Sequence, residues 1–342
     1  MRARGRSSFP TCLLALAALF GISAASAEEI NIYTTREAAL VEPVTDAFTQ
    51  ETGIAVNTTF IADNLSKRVA GEGKTSPADV LLTIGLDKTS QFASKSLTRP
   101  VTSTALERAV PPELRGRDGM WFGIAMRPRV VVVRRDSTLS AIAYEDLSKP
   151  AWRGKLCMRT PLHQNNVALV AAYLLHHGAT ETDAWLKGLR ANLAAPPEGK
   201  DNDVIRLIAQ GRCAIGIANT VALAQLRDGR DGAEWKGYAD GVKAVPTAFR
   251  NGGTHMNVTA VGIAAHAPHP SAAQKFVEFL VTDEAQKLLA EAELEYPVTK
   301  TGERAPIVAG IGNFIIDDRS IDQIAAAQKT AVDLIRKTGF AK

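Results

Sequence analysis

The sequence predicts an α/β protein built as two lobes. Three observations carry that expectation. Strand-like and helix-like runs alternate over residues 29–84, a second alternating set fills residues 154–220, and one long β-prone run containing Pro128 lies between them. The chain has 342 residues, 46% hydrophobic and 22% charged, which is enough for one large or two medium cores.

"EINIYTT" reads as the first strand. In "REAALVEPVTDAFTQETG", Leu40, Val44, Ala47 and Phe48 share one helical face, and Gly53 closes the helix. "IAVNTTF", a helix through "NLSKRVAGEG" and the strand "ADVLLTI" complete a βαβαβ pattern, which implies a parallel sheet. "MWFGIAMRPRVVVVRR" exceeds a normal strand length and reads as two strands joined by a crossing segment at Pro128, a candidate hinge. The second set holds "GKLCMRT", helices in "NNVALVAAYLLHHG", "ETDAWLKGLRANL" and "DNDVIRLIAQG", and the strand "CAIGIANT". A strand-rich return, "THMNVTAVGIAA", precedes one helix over "SAAQKFVEFLVTDEAQKLLAEAE" and a last one over "SIDQIAAAQKTAVDLIRKTG".

The N-terminus reads as an export signal, residues 1–27. "MRARGR" is basic, "CLLALAALFGISAA" is apolar but short for a membrane span, and Ala25-Ser26-Ala27 supplies a cleavage pattern. The expected location is therefore the periplasm. Export leaves Cys157 and Cys213, which predict a disulfide; two separate buried thiols are the alternative. The net charge of +4 has no basic-aromatic interleaving, so no nucleic-acid partner is expected.

No phosphate loop, dinucleotide fingerprint, zinc-protease motif or serine elbow is present, and no enzyme activity or cofactor is expected. "GEGKTS" lacks the phosphate-loop spacing and reads as a helix–strand connection. His176-His177 precedes Gly178 at a predicted helix end, where a capping role is expected. His163 follows a strand, where open α/β sheets bind ligands, and is a candidate ligand contact. "IANT" ends another strand in Asn219 and Thr220, a second such place.

Several stretches together resemble the ferric-iron class of periplasmic solute-binding proteins of ABC importers. They are "NIYTTRE", "FTQETGI", "SPADVLLTIG", "GMWFGIAMRPRVVVV", "YEDLSKPAWRGKLCMRT", "WLKGLRANLA", "GTHMNVTAVGIA" and "EYPV". The resemblance implies a bilobed type II periplasmic-binding clamshell, two α/β lobes about a hinge. The expected division is 28–127 with 252–302, and 128–251 with 303–342. A monomer delivering its solute to an inner-membrane permease is implied.

The resemblance also exposes a departure. Iron-binding members carry two adjacent tyrosines after the strand-end Asn-x, and hard Fe³⁺ favours such oxygen donors. Here Val221 and Ala222 stand there. Asn165 occupies the place of another tyrosine, and Ile84 that of a carboxylate. Only Glu37 is left as a candidate metal ligand, while Tyr33 belongs to the strand end. The family's anion-binding positions correspond to Arg127, Arg129, Arg159, Thr160 and Asn219, with Arg36 as an added cation near a helix start. The expected solute is therefore a small phosphorylated or carboxylated anion; the alternative role for each arginine is a structural salt bridge. Two other functions stay open: capture of an iron–anion complex without the tyrosines, and ligand presentation to a membrane histidine kinase.

Overall fold

The computed structural model describes residues 28–340, so the predicted signal segment lies outside the described residues. Eleven strands are β1 (Glu29–Thr34), β2 (Ala55–Phe60), β3 (Val80–Ile84), β4 (Phe122–Arg134), β5 (Ile142–Ala143), β6 (Leu156–Cys157), β7 (Ile215–Asn219), β8 (Val242–Val245), β9 (Thr247–Ala248), β10 (Met256–Ile263) and β11 (Tyr296–Pro297). The main sheet runs β2-β1-β3-β10-β4-β7-β6, with β8 and β11 also paired to β4. Strands β1, β2 and β3 are parallel, as the βαβαβ pattern predicts. β10 enters antiparallel between β3 and β4.

The long β-prone run is one strand of 13 residues, not two. What changes at its middle is the partner. Residues 122–128 pair with β10, and residues 129–133 pair with β7. Pro128 has no N–H to give to a ladder, and it sits where one ladder hands over to the other. The strand is thus shared by both lobes. Strict alternation places Arg127 and Arg129 on one face of it.

Helix Ala38–Thr52 buries Val41, Val44, Thr45 and Phe48 against the first lobe's sheet and ends at Gly53 in the left-handed region (φ 73°). Phe48 meets Phe276 edge-on at 5.1 Å. The two helices expected over residues 165–193 are joined as Gln164–Asn192, broken at Gly178, whose φ of 76° and ψ of 174° are open to glycine at little cost. The single helix expected over residues 271–293 is instead two, Pro270–Phe279 and Asp283–Glu293. Thr282 separates them, its hydroxyl accepting from Ala285 N–H at 3.3 Å. Helix Ile321–Lys337 packs along Gln164–Asn192. No described helix is long and apolar enough to cross a membrane.

Cys157 and Cys213 form the expected disulfide, with Cα atoms 5.8 Å apart and 56 residues of separation. It ties the end of β6 to the residues leading into β7.

Candidate functional site

Strand ends of both lobes converge around β4. In the first lobe Arg36, just past β1, is 3% exposed. It pairs with Glu293 and, at 2.8 Å, with Glu295, and donates to the Thr259 hydroxyl. Arg127 approaches the same Glu295 at 3.2 Å and keeps 18% of its side chain exposed. Burial alone would raise Glu295, but Arg36 and Arg127 outweigh it and hold its carboxyl below the usual range. For Glu293, burial outweighs Arg36 and pushes the carboxyl up.

In the second lobe Arg129 is fully buried and fully bonded. Its Nε and Nη2 donate to Asn166 Oδ1 (3.0 and 2.6 Å), and its Nη1 donates to Asp201 (2.9 Å) and to Asn219 Oδ1 (3.1 Å). The Asn219 N–H donates to the same Asp201 at 2.9 Å. Asn166 also donates to the Arg159 and Thr160 carbonyls, both at 3.0 Å, and so fixes the backbone after β6. Burial opposes the charge of Asp201, yet Arg129 and the hydrogen bonds hold it below the usual carboxylate range. Arg159 stands 3.8 Å from this already engaged Asp201 and keeps 16% of its side chain exposed. Its proton affinity is lowered, first by burial and then by Arg129 and Arg127, with Asp201 pulling the other way.

His163 is the N-cap of the long helix. Its Nδ1 accepts from Asn165 N–H at 3.2 Å, which leaves Nε2 to carry the proton. Burial, followed by Arg159 and Arg129, pushes its pKa down to about 4. Asn165 is the buried second residue of this helix. Helix Thr220–Asp228 begins without a side-chain cap, and the buried Thr220 hydroxyl has no partner. Unsatisfied N–H groups at such a start favour an anion.

The structure therefore groups Arg127, Arg129, Arg159, Thr160, His163, Asn165, Asn219 and Thr220 about β4, with Arg36 joined through Glu295. It does not bring Tyr33 into contact with this group; the phenol donates to Glu72 at 3.1 Å and accepts from Arg68. Glu37 is exposed at the start of helix Ala38–Thr52. Among the described residues, the grouping of three His, Cys or carboxylate donors is His176, Asp317 and Asp318, which does not include Glu37. Val221 and Ala222 are buried apolar residues. Tyr144, Tyr173 and Tyr296 are buried elsewhere, and Tyr238 bonds Glu234. His176 and His177 stand in the last turn before the helix breaks at Gly178, as expected, but their rings bond Asp317 and Glu145, each at 2.9 Å, and not the last carbonyls of that turn.

Sequence reasoning missed Asn166, Asp201, Thr259, Glu293 and Glu295. Asn166 adjoins the Asn165 already singled out, and Glu295 opens the quoted "EYPV". Nothing in the spacing of Asp201 or Glu293 marks a partner 72 or more residues away.

Two α/β lobes meeting across a strand shared by both, with polar strand ends and helix starts turned toward the junction, define a protein that captures a solute between lobes. The chain belongs to the bacterial extracellular solute-binding protein family, which it matches over residues 31–287, and within it to the ferric-iron class. Iron uptake protein A1 of Synechocystis is 36% identical over 92% of this chain and 88% of its own length. The structure of ferric iron-binding protein A of Mannheimia haemolytica in an open conformation is 35% identical, covering 92% of this chain and 99% of that one, with a TM-score of 0.87. That of Trichodesmium IdiA (FutA) in complex with iron and citrate is 32% identical, covering 92% and 100%, also with a TM-score of 0.87. These relatives are solute-binding transport proteins, not enzymes. Membership implies binding of a small ligand, a periplasmic setting and delivery to an ABC permease.

Proposed function

We propose that the cleft between lobes 28–127 with 252–302 and 128–251 with 303–342 captures a small carboxylated or phosphorylated anion. The observation that carries this is a charge imbalance. Among the described residues, Arg36, Arg127, Arg129 and Arg159 have three carboxylates within 4 Å, those of Glu293, Glu295 and Asp201. Arg36 and Arg129 are committed to the protein. Arg127 and Arg159 stay partly open, and each shares a carboxylate that another arginine already holds. An incoming anion supplies the missing charge, and the planar guanidinium fork suits carboxylate or phosphate. Thr220 with its helix start, Asn219, Thr160 and the His163 Nε2–H are the neutral partners. The protein acts as a monomer released from a cleaved signal segment.

A second reading, capture of an iron–anion complex, is favoured by one observation: the Trichodesmium relative was solved with iron and citrate together. In this chain the citrate carboxylates would take the arginines. Iron would have to keep its oxygen donors from the anion, because Val221 and Ala222 offer none.

Titration calorimetry against citrate, ferric citrate and a panel of phosphorylated metabolites tests both. A charge-assisted bond is worth about 1.5–3 kcal/mol, so Arg159→Ala should weaken binding roughly tenfold to a hundredfold. Arg159→Lys should recover only part of that. Tight binding of a neutral solute, unchanged in Arg159→Ala, would overturn the reading.

A further inference from the structure

Asp87 and Gln164 belong to different lobes. Asp87 lies in the first turn of helix Leu86–Ser94, directly after β3, whose partners are β1 and β10. Gln164 opens the long helix after β6, whose partner is β7. With its amide nitrogen turned to the first lobe, Gln164 donates to both Asp87 carboxylate oxygens, one of them at 2.9 Å.

The surroundings are shaped for this contact. A Cβ on Gly85 would lie 2.9 Å from Asp87 Oδ1 and 3.0 Å from the nearest atom of the Gln164 amide, so both groups lie close against this turn. Gly85 also has a φ of 96°, which side-chain-bearing residues rarely adopt. Asp87 has no cationic partner within 4 Å among the described residues, and burial pushes its carboxyl up against the pull of Lys88. The Gln164 amide adds to the compensation given by Lys88 and by the backbone N–H groups of Asp87 and Lys88.

We propose that Asp87 and Gln164 form an interlobe clasp that positions the anion site without touching the solute. Gln164 follows His163 directly and stands five residues after Arg159. Fastening it to the first lobe holds the Arg159–His163 loop in its binding arrangement. Any opening that parts helix Leu86–Ser94 from helix Gln164–Asn192 must break the clasp. The clasp thus adds to the differential energy between open and closed states, and it acts on escape of the solute more than on its entry. The inference rests on the cleft being the solute site.

The test is a double-mutant cycle with citrate and ferric citrate as probes, read by stopped-flow dissociation and by small-angle scattering with and without probe. Gln164→Glu sets two carboxylates face to face. We expect at least fivefold faster dissociation, little change in association, and a larger radius of gyration in the probe-free protein. Asp87→Asn in the Gln164→Glu background restores an amide–carboxylate pair with the roles exchanged, and should restore both readouts. An unchanged radius and dissociation rate in Gln164→Glu, or no rescue in the double variant, would overturn the clasp. If neither probe binds the unaltered protein, the anion reading fails for those probes while scattering still decides the clasp.

Discussion

The two lobes hold their arginines in different ways. In the first, Arg36 and Arg127 face two carboxylates, Glu293 and Glu295. In the second, Arg129 and Arg159 face one, Asp201. The first network has as many carboxyl groups as arginines, although one of them, Glu293, resists ionisation. The second is one charge short, and its deficit falls on Arg159, which like Arg127 makes no hydrogen bond from its guanidinium among the described residues. The disulfide pins this same lobe at Cys157, two residues before Arg159. The lesson is that an arginine-rich cleft is not a uniform basic surface. Arg36 and Arg129 are buried and held by the protein, while Arg127 and Arg159 keep part of their side chains exposed.

The sharpest way to break this comparison is to remove the acids in turn. Asp201→Asn leaves Arg129 buried without a counter-charge, and should cost about 3–5 kcal/mol in denaturant unfolding. Glu293→Gln should cost clearly less, because Glu295 remains on Arg36. Equal losses would mean the two networks are equivalent. Next in size is the disulfide. Closing a loop of this length contributes roughly 4 kcal/mol in the chain-entropy account, with typical measured values of about 2–4. Cys157→Ala should therefore lower the melting temperature and, by loosening β6 against β7, weaken anion binding; Cys213→Ala should do the same.

A smaller effect comes from acid. His255 is fully buried, and burial with Arg129 nearby pushes it down to about 3 from an ordinary 6.5. Its proton is taken up by the unfolded chain first. The stabilisation is complete above about pH 6.5 and is lost as pH falls toward 3, at about 1.4 kcal/mol per unit within that window. His163 acts in the same direction down to about 4, but less, since it is only half-buried and solvent screens it. In urea titrations between pH 7 and 5, His255→Asn should show a shallower loss than the unaltered protein. Identical slopes would remove His255 from the account. Smallest of all is the expected optical change: ferric citrate should add no tyrosinate-to-iron band in the visible range, because no tyrosine stands at residues 165, 221 or 222.

Much of the fold was legible because it rests on local pattern. The βαβαβ start and Gly53 follow from periodicity and glycine chemistry. Pro128 marked the crossing correctly, although the strand continues through it, since a residue without an N–H is harmless where partners change. Thr282 was passed over because its cap is a single hydroxyl inside an otherwise continuous apolar stripe. At the site, the arginines could be named from strand ends, but their partners could not. Asp201 opens a helix, where acids are common for dipole reasons alone, and Glu293 ends one. Only the tertiary arrangement shows that both are buried on arginines.

β10 has a consequence for biosynthesis. It lies between β3 and β4, so the first lobe's sheet has a gap until residue 263 has been made. Strands β4, β7 and β8 of the second lobe are all complete by residue 245. The strands of the second lobe can therefore pair while the first lobe still exposes the flanks of β3 and β4, although helix Ile321–Lys337, which packs on Gln164–Asn192, comes last of all. Such late, long-range insertion slows folding. It leaves the N-terminal half of the sheet open until β10 arrives to fill it.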